Sequence, residues 1–264
     1  MSSDASQARP PAVPESTRRR PALTRDQVLT TALKIIDEGG VEALSMRRLG
    51  QALDRNPMAI YRHAADKDAL LDAVVEQVLS ELVVPREPDD DWETTLRRTA
   101  HAFRRLALAH PNLVPLLVTR PLSGPLAQRP LGTLRPLEEL LELFITAGFD
   151  QHGALHAARL FNGFLYGHAL HELQERVHDP DETDDVLRLG LHRLPIKQFP
   201  RLRSLAAVLA TYDGAAELDE GLTIVLAGLR SQLLTSSAPD DTPRPPTTTG
   251  RPPAGRRRSR SAGE

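Results

Sequence analysis

At 264 residues, with 33 Lys/Arg against 35 Asp/Glu and no cysteine, the chain is long enough for a sizeable core in one or two domains. The missing cysteines exclude a disulfide framework and thiol chemistry, and no run reaches the ~18 apolar residues of a membrane span, so a cytoplasmic protein without membrane contact is expected. Charge is unevenly spread: residues 1–67 hold 11 Lys/Arg against 8 Asp/Glu, residues 68–235 hold 16 against 24, and residues 236–264 hold 6 against 3. A basic front on an acidic body turns the front toward phosphates, although an acidic body is also what an ordinary solvated surface looks like.

Residues 1–21 are rich in Ser, Pro and Arg and predict a disordered basic leader without a secretion signal. Its Arg18-Arg19-Arg20 run is either a minor-groove arm or a solubilising charge cluster. Thr24, with Gln27 three residues on, has the form of a capping box for a first helix. That helix carries an apolar stripe through Val28, Leu29, Ala32, Leu33, Ile35 and Ile36 and stops at Gly39-Gly40. Ser45 caps a second helix running to Leu53, and Asp54-Arg55-Asn56 makes a tight turn. Asn56 then caps a third helix that starts at Pro57, where a missing N–H does no harm. This helix spans about seven residues, Pro57 to His63, or ~10 Å, and carries Tyr61, Arg62 and His63 instead of a buried apolar face. A short polar-tipped helix behind a tight turn is the pattern of a helix-turn-helix recognition element.

Asp66 opens a longer helix to about Val84. Further helices are predicted over roughly Trp92–Ala109, Asn112–Thr119, Leu131–Ala147, Gln151–Val177, Leu202–Thr211 and Ala215–Leu234, with a long loop at His178–Pro200. From Ser236 onward Pro, Thr, Ser, Gly and Arg predict a disordered basic tail. No strand-period alternation stands out, so the fold class is all-α.

The residues Leu44-Ser45-Met46-Arg47-Arg48-Leu49, Ala59-Ile60-Tyr61-Arg62-His63 and Asp66-Lys67-Asp68-Ala69-Leu70-Leu71 resemble the TetR family of ligand-responsive transcriptional regulators. Trp92 with Phe103, His110-Pro111, Leu117-Val118-Thr119-Arg120-Pro121, Ala147-Gly148-Phe149 and Gly221 through Leu233 extend that resemblance into the tetracycline-repressor branch. One position departs from the pattern. The turn usually starts with glycine and here starts with Asp54, a residue that tolerates a left-handed backbone. The resemblance implies a three-helix DNA-binding domain (22–68) followed by a larger helical domain (69–234) for effector binding and dimerisation, flanked by the leader (1–21) and tail (235–264).

The partners implied are double-stranded DNA, a second copy of the chain and a small apolar or aromatic effector. On the DNA side, the position of Arg47 reaches a base in the resembled family, with a phosphate contact or surface salt bridge as the alternative. Pro57, Met58 and Ala59 at the leading end of the recognition helix suit thymine methyls, although Met58 equally suits packing against its neighbours. Tyr61, His63 and Lys67 match phosphate-contacting positions, and Arg62 suits either a base or a phosphate. Two such helices in a dimer, ~34 Å apart, require a roughly palindromic operator, and the family resemblance favours a repressor released by its effector.

Dimer contacts are expected at Gly163 and Gly167, which let backbones approach, and at Ile224, Val225 and Gly228 in a segment apolar on every side of its helix. For the effector pocket the candidates are Phe103, Leu116, Arg120, Phe144, Phe164 and His168, each with an ordinary core or capping role as the alternative. Tetracycline itself is not expected. The polar residues and metal-binding histidine of that branch fall at Val83, Thr99 and Leu116 here. His152/His156 and His168/His171 have spacings compatible with zinc but no third ligand accompanies them, so no metal is expected. No nucleophile elbow, phosphate loop or paired carboxylates are present, so neither an enzyme nor a cofactor is expected. A DNA-binding protein whose large domain only dimerises is the remaining alternative.

Overall fold

The computed structural model describes residues 22–82, 90–120, 125–176 and 190–236. The leader, the tail beyond Ser236, residues 83–89 and the first part of the expected His178–Pro200 loop (178–189) lie outside the described residues. The α-helices, in chain order, are α1 (Arg25–Gly39), α2 (Met46–Ala52), α3 (Pro57–Ile60), α4 (Lys67–Ser80), α5 (Trp92–Ala109) and α6 (Val114–Thr119). They continue as α7 (Leu131–Thr146), α8 (Gln151–Arg176), α9 (Pro200–Ser204), α10 (Ala206–Ala210) and α11 (Gly214–Ser236). Among the described residues there is no strand, and no helix is long and apolar enough to cross a membrane.

Local chemistry sets the front of the fold. The Thr24 hydroxyl accepts from the Gln27 N–H at 3.2 Å, and the Gln27 side chain accepts from the Thr24 N–H at 3.1 Å, a complete capping box on α1. Ser45, Asn56 and Asp66 cap α2, α3 and α4 in the same way, each accepting a backbone N–H two or three residues on. Asp54 adopts φ 51° and is the only non-glycine residue with positive φ among those described, so it does take the place of the usual glycine in the turn.

Three expectations need correction. The recognition helix is α-helical only over Pro57–Ile60, and Tyr61–His63 continue as a tightened turn. There the N–H groups of His63 (2.8 Å) and Ala64 (3.2 Å) converge on the Ile60 carbonyl, as at many helix ends. Its inner side is also not purely polar, because Ile60 is fully buried in the core with Leu44, Leu49 and Leu70. Second, α4 stops at Ser80 instead of Val84. Third, the described end of the long loop is not structureless: a short 3-10 turn at Leu191–Arg193 is pinned by the Arg203 guanidinium, which donates to the carbonyls of His192 and Leu194 (2.8 and 2.9 Å). The helix expected at Leu202–Thr211 is split in two at Leu205.

One core runs the length of the molecule, and α4 joins its two parts. Leu70, Leu71 and Val74 of α4 bury against α1, while the other end of the helix packs on α7. Polar ties reinforce the joint. Glu76 of α4 pairs with Arg25 of α1 (3.7 Å) and accepts the Gly132 N–H of α7 (3.0 Å). Beside it, Asn112 donates to the last carbonyls of α1, Ile36 and Asp37, and the His110 ring meets the Asp37 carboxylate at 3.0 Å. Behind this joint, α5 holds α11 by a row of polar contacts. Glu93 receives both forks of Arg230 at 2.6 Å, Arg97 donates to Thr223, and His101 meets Asp219 at 2.8 Å.

Candidate functional site

The two ends of the molecule differ in chemistry. At the front, α2, the Asp54 turn and α3 form a tip. The close fit of α2 against the turn depends on Gly50, where an added Cβ would stand 2.9 Å from the Arg55 carbonyl oxygen and 3.2 Å from the Pro57 nitrogen. On this tip Met58 is 69% exposed and Tyr61 46% exposed, although both are large hydrophobic side chains. Arg47 at the start of α2 and Arg62 are exposed, while Pro57, Ala59, His63 and Lys67 are half-buried around them. Among the described residues Arg47, Arg62 and Lys67 form no ion pair. A cation without a partner beside an exposed aromatic gains little from folding alone. Together these groups form a surface suited to phosphates and base edges.

At the other end a cavity of about 410 Å³ opens between α4, α5, α7 and α8. Its wall is mainly aliphatic and aromatic: Leu79 near the end of α4 and Leu82 just past it, Phe103 of α5, Leu134 and Leu137 of α7, and Leu165 of α8. Polar groups interrupt that wall at Thr95 and Thr99, at Arg129, Thr133 and Glu139, and along α8 at Arg159, Asn162 and Tyr166. The Phe103 and Tyr166 rings lie 5.6 Å apart, and burial pushes the Tyr166 phenol above its ordinary pKa. A mainly apolar cavity of this size with a few polar groups suits a small organic ligand.

The six pocket candidates from the sequence divide. Phe103 lines the cavity. Phe144 does not; it is fully buried in an aromatic cluster with Trp92 and Phe149, at centroid distances of 6.2 and 5.3 Å. Leu116 packs half-buried against the core without reaching the cavity wall. Arg120 is turned the other way, because α6 ends beside the start of α4. Its guanidinium donates to the Asp68 carbonyl (3.1 Å), the Asp68 carboxylate (2.8 Å) and the Asp72 carboxylate. Arg120 is therefore a tie between α6 and α4 and not a pocket group.

Phe164 and His168 line a second hollow, between α8, α10 and the start of α11. The His168 ring is buried, with its Nε2 3.6 Å from a Glu172 carboxylate that is itself 2% exposed and held by Arg104 at 2.6 and 2.8 Å. Burial holds the His168 pKa below its ordinary value, against the opposing pull of Glu172. Arg159, Asn162 and Tyr166 were not singled out by the sequence reading. Their signal is the i, i+3 and i+7 spacing, which puts all three on one face of α8.

The expected dimer residues also separate. Gly163, Gly167 and Gly228 are exposed, and a Cβ on any of them would meet nothing within 4 Å. Ile224 is 75% exposed, and Leu160 stands out on α8 in line with the two glycines. Val225 differs, since it packs half-buried on the core instead of facing outward with Ile224.

Comparison with known proteins matches both ends. Residues 28–74 match the family model described as bacterial regulatory proteins, tetR family, and residues 84–233 match that of the tetracyclin repressor-like C-terminal domain. The chain belongs to the TetR family. Among TetR-family relatives, the tetracycline repressor protein class C of Escherichia coli is 31% identical over 221 residues, which cover 81% of this chain and 94% of that protein. An HTH-type transcriptional regulator of Saccharopolyspora erythraea is 29% identical over 215 residues, covering 81% of this chain and 88% of the relative. Solved TetR-family structures agree. Apo ActR from Streptomyces coelicolor superposes with a TM-score of 0.66 at 30% identity, covering 82% of this chain and 99% of ActR. ActR in complex with actinorhodin gives 0.64 at 31% identity, covering 80% and 98%. The protein is thus a TetR-family transcriptional regulator with a helix-turn-helix front and a helical C-terminal domain.

Proposed function

We propose that the protein is a homodimeric repressor that binds a roughly palindromic operator and is released when a small, mainly apolar molecule other than tetracycline occupies the cavity. The observation that carries this reading is the position of α4. One end of that helix buries Leu70, Leu71 and Val74 beneath the DNA-binding tip, and its other end supplies Leu79 to the cavity, with Leu82 two residues past the helix end beside it. A ligand touching Leu79 and Leu82 therefore acts on the helix that carries the tip. If it favours one tilt of α4, it selects one separation of the two recognition helices in a dimer.

Arg47 reads a base; Pro57, Met58 and Ala59 face thymine methyls; Tyr61, His63 and Lys67 hold phosphates; and Arg62 meets either. The dimer face combines Leu160, Gly163 and Gly167 of α8 with Ile224 and Gly228 of α11, where open glycines permit close approach. The structures of ActR with actinorhodin and with (S)-DNPA support a ligand-responsive reading, since they show a relative of this fold holding small molecules.

Selection of duplexes from a random DNA pool tests the proposal. Enrichment of an inverted repeat with half-sites about one helical turn apart, ~34 Å, is the expected result. Enrichment of single half-sites only would overturn the dimeric reading, and no enrichment would overturn specific recognition.

A further inference from the structure

The cavity wall carries a distinct polar seam on α8. Arg159, Asn162 and Tyr166 stand at i, i+3 and i+7, on one face of the helix, and all three line the cavity. They grade from exposed at Arg159 to half-buried at Asn162 and Tyr166. The other polar groups of the wall are already occupied. Thr99 donates to the Thr95 carbonyl (2.8 Å) and Thr133 to the Pro130 carbonyl (2.7 Å), while Arg129 and Glu139 both interact with other groups of the protein. Among the described residues, the Arg159 guanidinium, the Asn162 amide and the Tyr166 hydroxyl make no hydrogen bond.

We propose that the effector is an apolar, ring-bearing molecule with an acidic group, which Arg159 holds at the mouth of the cavity while Asn162 and Tyr166 take carbonyl or hydroxyl groups further in. This rests on the reading of the cavity as the effector site. A guanidinium offers a planar fork that matches a carboxylate with two parallel hydrogen bonds, and such charge-assisted bonds are stronger than neutral ones. The Asn162 amide both donates and accepts, and a buried phenol stays protonated and donates. Seven residues of helix rise about 10 Å, the reach of two or three fused rings. Phe103, Leu137 and Leu165 cover the apolar body of such a molecule. With two arginines and one glutamate on the wall, a cationic effector is disfavoured.

The test is calorimetric titration of the full chain with anthraquinone-2-carboxylate and its neutral counterpart, anthraquinone-2-carboxamide. The carboxylate is expected to bind at least tenfold tighter, and Arg159→Gln to remove that preference. Arg159 is exposed, so the substitution does not threaten the fold. Cavity filling by Leu137→Trp, or by Leu134→Phe should the first variant not fold, is expected to abolish binding of both probes. Equal affinity for the two probes, with both lost on cavity filling, overturns the acid preference and leaves the cavity as the effector site. Binding of neither probe, or binding that survives cavity filling, overturns the cavity reading and this inference with it.

Discussion

Glu172 and Arg104 form a bidentate pair across α8 and α5, and Glu172 is almost wholly removed from water. The Arg104 guanidinium is held above its ordinary pKa, chiefly by this hydrogen bond. Removing Arg104 strips the buried Glu172 carboxylate of its bidentate partner, and breaking a buried pair in this way costs about 3–5 kcal/mol. Arg104→Ala should therefore lower the unfolding free energy from urea titration by an amount in that range, and loss of less than about 1 kcal/mol would show that water reaches Glu172. His168, in the same cluster, sets a pH dependence. Burial lowers its folded pKa, so between that value and about 6.5 the unfolded chain binds more protons than the folded one. Stability should fall as pH drops through about 6.5, and His168→Leu should flatten that fall in unfolding curves at pH 7.5 and 5.5. At this scale the sequence was only partly legible. The caps at Thr24, Ser45, Asn56 and Asp66 depend on residues two or three apart, and each could be read directly. Arg120 and His168 were not, because the partners that engage them, Asp68, Asp72, Glu172 and Arg104, are set by packing between helices.

Among the elements, the α2–turn–α3 unit shows how local rules and tertiary packing share control. Asp54 supplies the left-handed turn and Pro57 starts α3, both visible in sequence. The closeness of α2 to the turn is set by Gly50, whose role appears only once the Arg55 carbonyl is in place. Gly50→Ala forces the backbone at the turn to shift, because the added Cβ would stand 2.9 Å from the Arg55 carbonyl oxygen. It should destabilise by roughly 1–3 kcal/mol, as overpacking does, and weaken DNA binding more than melting temperature alone accounts for. A variant that melts and binds like the parent would show that the turn relaxes freely. Helix limits for α5, α7 and α8 followed the apolar period closely. Those of α3, α4 and the α9–α10 pair did not, since hydrogen bonds converging on Ile60 and the break at Leu205 end them early.

For the whole molecule, α11 shows what one chain leaves incomplete. The segment around Ile224 is apolar on every side, yet a single chain buries only the stripe of Leu218, Leu222, Leu226 and Leu229. The row of contacts from α5 fixes the rotation that leaves Ile224 and Gly228 facing outward. A second copy is the partner that suits this face. Ile224→Glu, at a position the single chain leaves open, should yield a folded monomer in sedimentation equilibrium. A dimer that persists would place the interface elsewhere. The measurement that bears most directly on the account as a whole is fluorescence anisotropy of the protein on the selected inverted repeat and on a scrambled duplex of equal composition, across a range of salt. At least 10³-fold preference for the repeat at physiological salt is expected, with Arg47→Ala losing much of it. Equal affinity for the two duplexes, falling in parallel with salt, would contradict it by reducing the tip to a sequence-blind phosphate surface.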